Sequence, residues 1–474
     1  MTRPLRVAIV GAGPAGIYAA DLLTKAERDF DVSIDLFERL PAPFGLVRYG
    51  VAPDHPRIKG IINALIKVLD RGDIRLFANV DYGTDITRED LQKHYDAVIF
   101  STGCFDDAPL NIPGIDLPRS YGAADFVNWY DSHPAVSQEW PLEAEKVAVI
   151  GNGNVALDVA RVLAKQADDM LPTEIPDHVY EGLKKSKVTD VHVFGRRGPA
   201  QAKFTPLELR ELGHVPDVDI IVYPEDYEFD EASMKAIHSN NQIKQVTKTL
   251  TDFTLREPTG ASRRLHLHFL HAPVEVLGDE ENGVTGLRTE RQELDGNGGV
   301  RGTGVTTDWP MDAVYRAVGY FGSALDQLPF DDAKGVIPNH EGRVVDALSQ
   351  VEAPEATVLP GVYATGWIKR GPVGLIGHTK GDALETITHL IEDKVAGTLP
   401  TPEAPDEDAI VTFLRDKGVD FVDWEGYHRI EAAEKALGAP QGRERVKLAT
   451  HEAMVDAARG AALVGADAAA PAVD

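Results

Sequence analysis

Cysteine occurs once in the 474 residues, at Cys104. A disulfide within the chain, a Cys-x-x-Cys redox pair and a cysteine-ligated iron–sulfur cluster are therefore all excluded. Basic residues are also scarce: 48 Lys and Arg stand against 75 Asp and Glu, a formal charge of -27. A surface of that sign favours solution and repels nucleic acid, so a polyanionic partner would need a local basic patch. No apolar run approaches the roughly 18 residues of a membrane span. Met1–Pro4 leads directly into an apolar strand, so no signal peptide is expected and the protein is expected in the cytoplasm. No metal site is expected.

What is present is ordinary globular material, with 43% hydrophobic residues and a length that suggests more than one domain. The β-branched run Val7–Val10 enters Gly11-Ala12-Gly13-Pro14-Ala15-Gly16, a helical pattern follows from Ile17 to Ala26, and Val32–Glu38 alternates like a strand. A Gly-x-Gly-x-x-Gly turn between strand and helix is a dinucleotide fingerprint. Gly11 permits the tight turn, Gly13 the approach of a pyrophosphate, and Gly16 close helix packing. The helix N-terminus offers N–H groups to phosphate, and Glu38, at the end of the next strand, suits ribose hydroxyls.

The pattern returns at Lys146–Ile150, which enters Gly151-Asn152-Gly153-Asn154-Val155-Ala156. Here the following strand, Val191–Phe194, ends at Gly195-Arg196-Arg197 rather than at a carboxylate. Two guanidiniums would bind a 2′-phosphate by charge-assisted hydrogen bonds, whereas a carboxylate would repel it. One site with Glu38 and one with an arginine pair fits FAD and NADP(H). Between and after these units the residue pattern predicts a helix over about 58–70, short strands at Ile74–Phe77 and Ala97–Phe100, antiparallel strands from Thr247 to Val314, a buried strand Val362–Gly366 and a helix from about Gly377 to Val395.

The chain resembles the adrenodoxin-reductase-type ferredoxin–NADP reductases, within the glutathione-reductase-like FAD flavoproteins. The resemblance is carried by Gly11–Gly16, Pro43–His55, Gly151–Asp158, Gly195–Pro199, Phe204-Thr205 with Glu208–Leu212, Ala364–Pro372 and Asp423-Trp424 to Val446, in that order along nearly the whole chain. It implies an α/β protein of two Rossmann-like domains: an FAD domain (1–107 and 324–474) interrupted by an NADP domain (108–323). The Ala-rich stretch 460–474 would be a loose tail. By resemblance, Ala15, Glu38, Leu46 and Val80 bind FAD, and Trp367 with Gly374-Leu375-Ile376 holds the flavin ring. Asn152, Gly153, Asn154, Val155, Arg196, Arg197 and Glu208 bind NADP, with Gly374 at the meeting point. His55 and Glu211 match polar positions near the nicotinamide. Some relatives carry an amino-terminal iron–sulfur module; this chain begins at the FAD strand, and its lone cysteine could not ligate a cluster.

The expected activity is NADPH:ferredoxin oxidoreduction: hydride from NADPH to FAD N5, then single electrons to a ferredoxin or flavodoxin. Lys369, Arg370, Arg48, Arg57 and Lys59 are expected to form a cationic patch for an acidic partner. Gly374–Gly377, opening a helix, could steady negative charge on reduced flavin. Cys104 reads as a small buried hydrophobe. Two alternatives stand beside this reading. A flavin monooxygenase would need the pattern Phe-x-Gly-x-x-x-His-x-x-x-Trp, which is not found; a non-catalytic nucleotide sensor would use both turns for regulation.

Overall fold

Residues 3–346, 357–374 and 376–461 are described by the computed structural model. They divide into two compact units, one drawn from Met1–Asp106, Asp131–Ala135 and Tyr320–Asp474, the other from Asp107–Tyr130 and Val136–Gly319.

The first unit is built on a seven-stranded sheet. Its order is Asn339–His340, Arg343–Val345, Val358–Ala364, Ala97–Phe100, Leu5–Val10, Val32–Glu38 and Ile74–Ala78. The last five are parallel, and the first two pair antiparallel. Leu5–Val10 is buried along its whole length, as a continuous apolar run requires when both faces of a parallel sheet are covered. The helix Pro14–Lys25 has no side-chain cap, with Gly13 at its N-cap and Pro14 in its first turn. Packing holds it instead: Ile17, Ala19, Ala20 and Leu23 are fully buried in a core that includes Ile9, Leu36, Ile387, Leu390 and Tyr427. Burial of a side chain the size of Ile17 or Leu23 contributes about 1.5–3 kcal/mol, more than the typical ~1 kcal/mol of a cap.

The second unit carries a six-stranded parallel sheet. Its order is Ser120–Gly122, Ala313–Arg316, Lys146–Ile150, Asp190–Gly195, Arg263–Phe269 and Val218–Val222. A separate antiparallel sheet follows, of His271–Asp279, Gly283–Leu294 and Val300–Pro310. Leu265 and Leu267 on the strand Arg263–Phe269 alternate with His266 and His268. The two histidines join His192 in a stacked array. The rings of His192 and His266 lie 4.1 Å apart and 2° from parallel, and His192 Nδ1 is 3.0 Å from His268 Nε2.

Two expectations are corrected. The antiparallel stretch does not begin at Thr247: Asn241–Thr254 is a helix, and Arg263–Phe269 is a parallel strand of the central sheet. The threonines of that helix favour a strand, but Val246, Leu250 and Phe253 recur at helical spacing and are buried. The helix expected over 58–70 is two, Pro56–Lys59 and Ile62–Leu69. Between the helix Asn154–Ala164 and the strand Asp190–Gly195 the chain forms a 3-10 turn at Ala167–Met170 and a helix at Asp177–Lys184. The helix expected near Gly377–Val395 spans Ile376–Ala396. Most of the expected tail, 462–474, lies outside the described residues.

Candidate functional site

In the first unit the turn after Leu5–Val10 is shaped by what its glycines lack. Gly11 has φ +107°, and a Cβ there would come 2.5 Å from Ser101 O. A Cβ on Gly16 would overlap Gly11 O and Ser101 Oγ. Ser101, at the end of the neighbouring strand, donates its hydroxyl to Val10 O and Gly11 O at 3.1 and 2.8 Å. Gly13 is extended, and a Cβ placed on it would meet nothing within 4 Å except the α-carbon of Gly45. The turn thus presents bare backbone beside an uncapped helix N-terminus, the arrangement that receives a diphosphate.

Glu38 sits at the end of the adjacent strand. Its Oε2 accepts from Ala12 N at 3.0 Å and its Oε1 from Leu40 N at 3.2 Å. Burial pushes this carboxyl above its usual range, and the two N–H donors oppose the shift. The same bonds fix the carboxylate beside the glycine turn. Val80 is buried and donates its N–H to Glu38 O at 2.9 Å. Leu46 lies in the short helix Gly45–Tyr49, next to the Gly13–Gly45 contact. Trp367 follows Gly366, where a Cβ would lie 2.6 Å from the Cβ of Ala15. The structure therefore gathers Gly11, Gly13, Ala15, Gly16, Glu38, Leu46, Val80 and Trp367 at the C-terminal ends of the parallel strands, where open α/β sheets bind ligands. Gly374 is exposed with φ +87°; Leu375 lies outside the described residues, and Ile376 opens the helix Ile376–Ala396. His55 is buried rather than solvated, and its carbonyl accepts from Ile58 N and Lys59 N, both at 3.1 Å.

In the second unit Gly151 has φ +147°, and a Cβ there would overlap Ala317 O. A Cβ on Gly153 would meet nothing within 4 Å, and Gly153 caps the helix Asn154–Ala164 without a side-chain bond. Asn152 and Asn154 turn their side chains inward. Their Oδ1 atoms accept from Lys203 N at 3.3 Å and Thr205 N at 2.8 Å, which ties the loop before Pro206–Leu212 to the turn. Nothing in the motif signals these bonds. Val155 is half-buried at the helix start. Arg196 and Arg197, just past the strand Asp190–Gly195, are both exposed, and among the described residues no ion pair engages either. Glu208 is buried in the first turn of Pro206–Leu212, while Glu211 is half-buried near its end.

The chain matches the family model of pyridine nucleotide-disulphide oxidoreductases over residues 5–196. It is 40% identical over 461 residues to the NADPH-ferredoxin reductase FprA of Mycobacterium tuberculosis, covering 94% of this chain and 98% of that protein. It is 36% identical over 471 residues to the mitochondrial NADPH:adrenodoxin oxidoreductase of Homo sapiens, covering 95% and 91%. The solved structure of Mycobacterium tuberculosis FprA in complex with NADPH superposes with a TM-score of 0.88 at 40% identity, over 97% of this chain and all of that one. This chain belongs to the family of NADPH-ferredoxin and NADPH:adrenodoxin reductases.

One expectation about this reductase fails. Four of the five cations read as a docking patch are committed internally. Lys369 is buried against Asp382 and Glu385 at 3.3 and 2.5 Å, and Arg370 pairs with Asp382 at 2.9 Å. Arg48 is buried against Glu434 at 2.5 Å, and Lys59 against Asp131 at 3.0 Å. Arg57 alone of the five is exposed. Cys104 is buried, and desolvation with the nearby Asp106 charge pushes its thiol up to about 12. No helix among the described residues is long and apolar enough to cross a membrane.

Proposed function

We propose that this reductase oxidises NADPH at a bound FAD and delivers electrons singly to a ferredoxin or flavodoxin. The observation that carries this reading is the opposite charge at the two strand ends: the Glu38 carboxylate beside one glycine turn, the exposed Arg196 and Arg197 beside the other. FAD, when bound, supplies the redox chemistry, accepting two electrons from NADPH and releasing them one at a time.

The chain's own residues bind and orient the two nucleotides. Gly11, Gly13 and Gly16 give the FAD diphosphate access to backbone N–H groups, with Ala15, Leu46 and Val80 lining that cradle. Glu38, held by Ala12 N and Leu40 N, accepts from ribose hydroxyls. Trp367 and Gly374–Ile376 take the flavin ring. Asn152–Val155 and Glu208 receive the NADP nucleotide, and Arg196 and Arg197 select its 2′-phosphate. The transfer needs no general base, so His55 and Glu211 are assigned to tuning orientation and reduction potential rather than to the chemistry. In this reading the FAD domain is 1–107 with 324–474, the NADP domain is 108–323, and the protein works in the cytoplasm.

The test is anaerobic reduction of the purified protein by NADPH and by NADH, followed by a ferredoxin or a flavodoxin with cytochrome c as the final acceptor. A yellow protein bleached by NADPH, with NADH much poorer and carrier-dependent cytochrome reduction, is expected. A colourless protein that FAD cannot restore refutes the reading, and so does equal use of NADH.

A further inference from the structure

We propose that Glu434 is a positioning residue for the glycine cradle of the first unit, acting through the loop Phe44–Tyr49. The proposal rests on the assignment of that cradle to FAD. It starts from a strained residue: Phe44 has φ +88°, in the left-handed region that an aromatic side chain rarely enters. Such a conformation persists only where its surroundings over-determine it, and here they do. Phe44 N donates to Ala12 O at 2.8 Å, inside the dinucleotide turn, and the residue after it places its α-carbon against Gly13. The Phe44 ring, fully buried, meets Tyr427 edge-on at 5.3 Å and Trp424 at 6.5 Å.

Both aromatic partners belong to the helix Trp424–Gly438, and the same helix holds the loop a second time. Tyr427 and Glu434 are seven residues apart, two helical turns, and so share a face. Phe44 and Arg48 are four residues apart along the loop. Glu434, fully buried, takes Arg48 Nη2 on Oε1 at 2.5 Å, and the same oxygen accepts from Leu448 N at 3.1 Å. The carbonyl of Arg48 accepts from Lys447 Nζ at 2.6 Å and Lys59 Nζ at 3.2 Å, and both ammoniums also reach Asp131 Oδ1. The loop that touches Gly13 is thus pinned at Phe44 by rings and at Arg48 by buried charge. A buried ion pair contributes little stability over an apolar pair of the same volume; what it adds here is a fixed length and direction between the helix and the loop. The distance from Glu434 to the cradle is bridged by one short helix, so a loosened Arg48 releases Leu46 and Gly45 directly.

The experiment uses the full chain, stripped of FAD and titrated with FAD, with affinity, the flavin absorption spectrum and thermal unfolding as readouts. Glu434→Gln should weaken FAD at least tenfold and alter the fine structure of the flavin band. Glu434→Asp should recover most of both. The paired replacement Arg48→Met with Glu434→Gln, which removes both charges but keeps an acceptor for Leu448 N, should melt, without FAD, close to the parent yet still bind FAD at least tenfold more weakly. A paired variant that binds FAD with parental affinity and spectrum overturns the positioning role. A parent chain that takes no FAD overturns the cofactor assignment and this proposal with it.

Discussion

Replacing Arg196 and Arg197 together by alanine isolates the choice between NADPH and NADH. Both side chains are exposed at the end of Asp190–Gly195, and the backbone bond from Leu270 N to Arg197 O at 3.2 Å survives truncation. The fold should therefore be indifferent. A hydrogen bond to a charged group contributes about 1.5–3 kcal/mol, and the exposure of both arginines argues for the lower end. Two such contacts give about 3 kcal/mol, close to a hundredfold in kcat/KM for NADPH. NADH has no 2′-phosphate, so its kcat/KM should hardly move. The assay is steady-state reduction of a ferredoxin–cytochrome couple with each nucleotide at fixed ionic strength. Added salt should shrink the difference, because exposed charges are screened over about 8 Å at 0.15 M. If the double variant keeps the parent's NADPH-to-NADH ratio within threefold, the arginines do not select the phosphate.

Gly16→Ala inserts a methyl group against Gly11 O and Ser101 Oγ, an overpacking cost of about 1–3 kcal/mol. The variant should purify with little flavin and a lowered Tm, and stoichiometric yellow protein would contradict the cradle. Burial and mutual repulsion hold His192 down to about 2 and His266 to about 4 against an ordinary 6.5. Since both are depressed, the unfolded chain takes up protons first. Stability contributed by the neutral rings is complete above pH 6.5 and falls as pH drops, His266 ceasing to contribute to the slope near 4 and His192 near 2. Between 6.5 and 4, His192→Phe should flatten the pH dependence of unfolding by about one proton, or about 1.4 kcal/mol per pH unit; an unchanged slope in urea unfolding would refute the assignment. Cys104, with its thiol pushed up to about 12, should ignore a thiol reagent at pH 8 in the native protein and titrate as one thiol after denaturation. Rapid native labelling would show it to be accessible.

The cradles were legible because a strand–turn–helix–strand unit is local. Gly11–Gly16 with Glu38, and Gly151–Ala156 with Arg196 and Arg197, carry their geometry within short stretches of chain. The expected cation patch failed for the opposite reason. The partners of Arg48, Lys59 and Lys369 are Glu434, Asp131 and Asp382, and no local pattern says which charge a distant carboxylate will claim. The inward turn of Asn152 and Asn154 was hidden because a motif position fixes a backbone, not a rotamer. The helix Asn241–Thr254 was missed because its threonines argue for strand while its buried Val246, Leu250 and Phe253 argue for helix, and packing outweighs propensity.

By itself the sequence determined the two β-α-β turns, their opposite charge and the exclusion of an intrachain disulfide or a cysteine-ligated cluster, because each depends on residue type and count. Tertiary structure alone decided which charges face water, that histidines stack across neighbouring strands, and that a helix more than 370 residues away braces Phe44 and Arg48. Those outcomes depend on which distant groups burial brings together, and desolvation makes each such group take whatever partner the fold supplies.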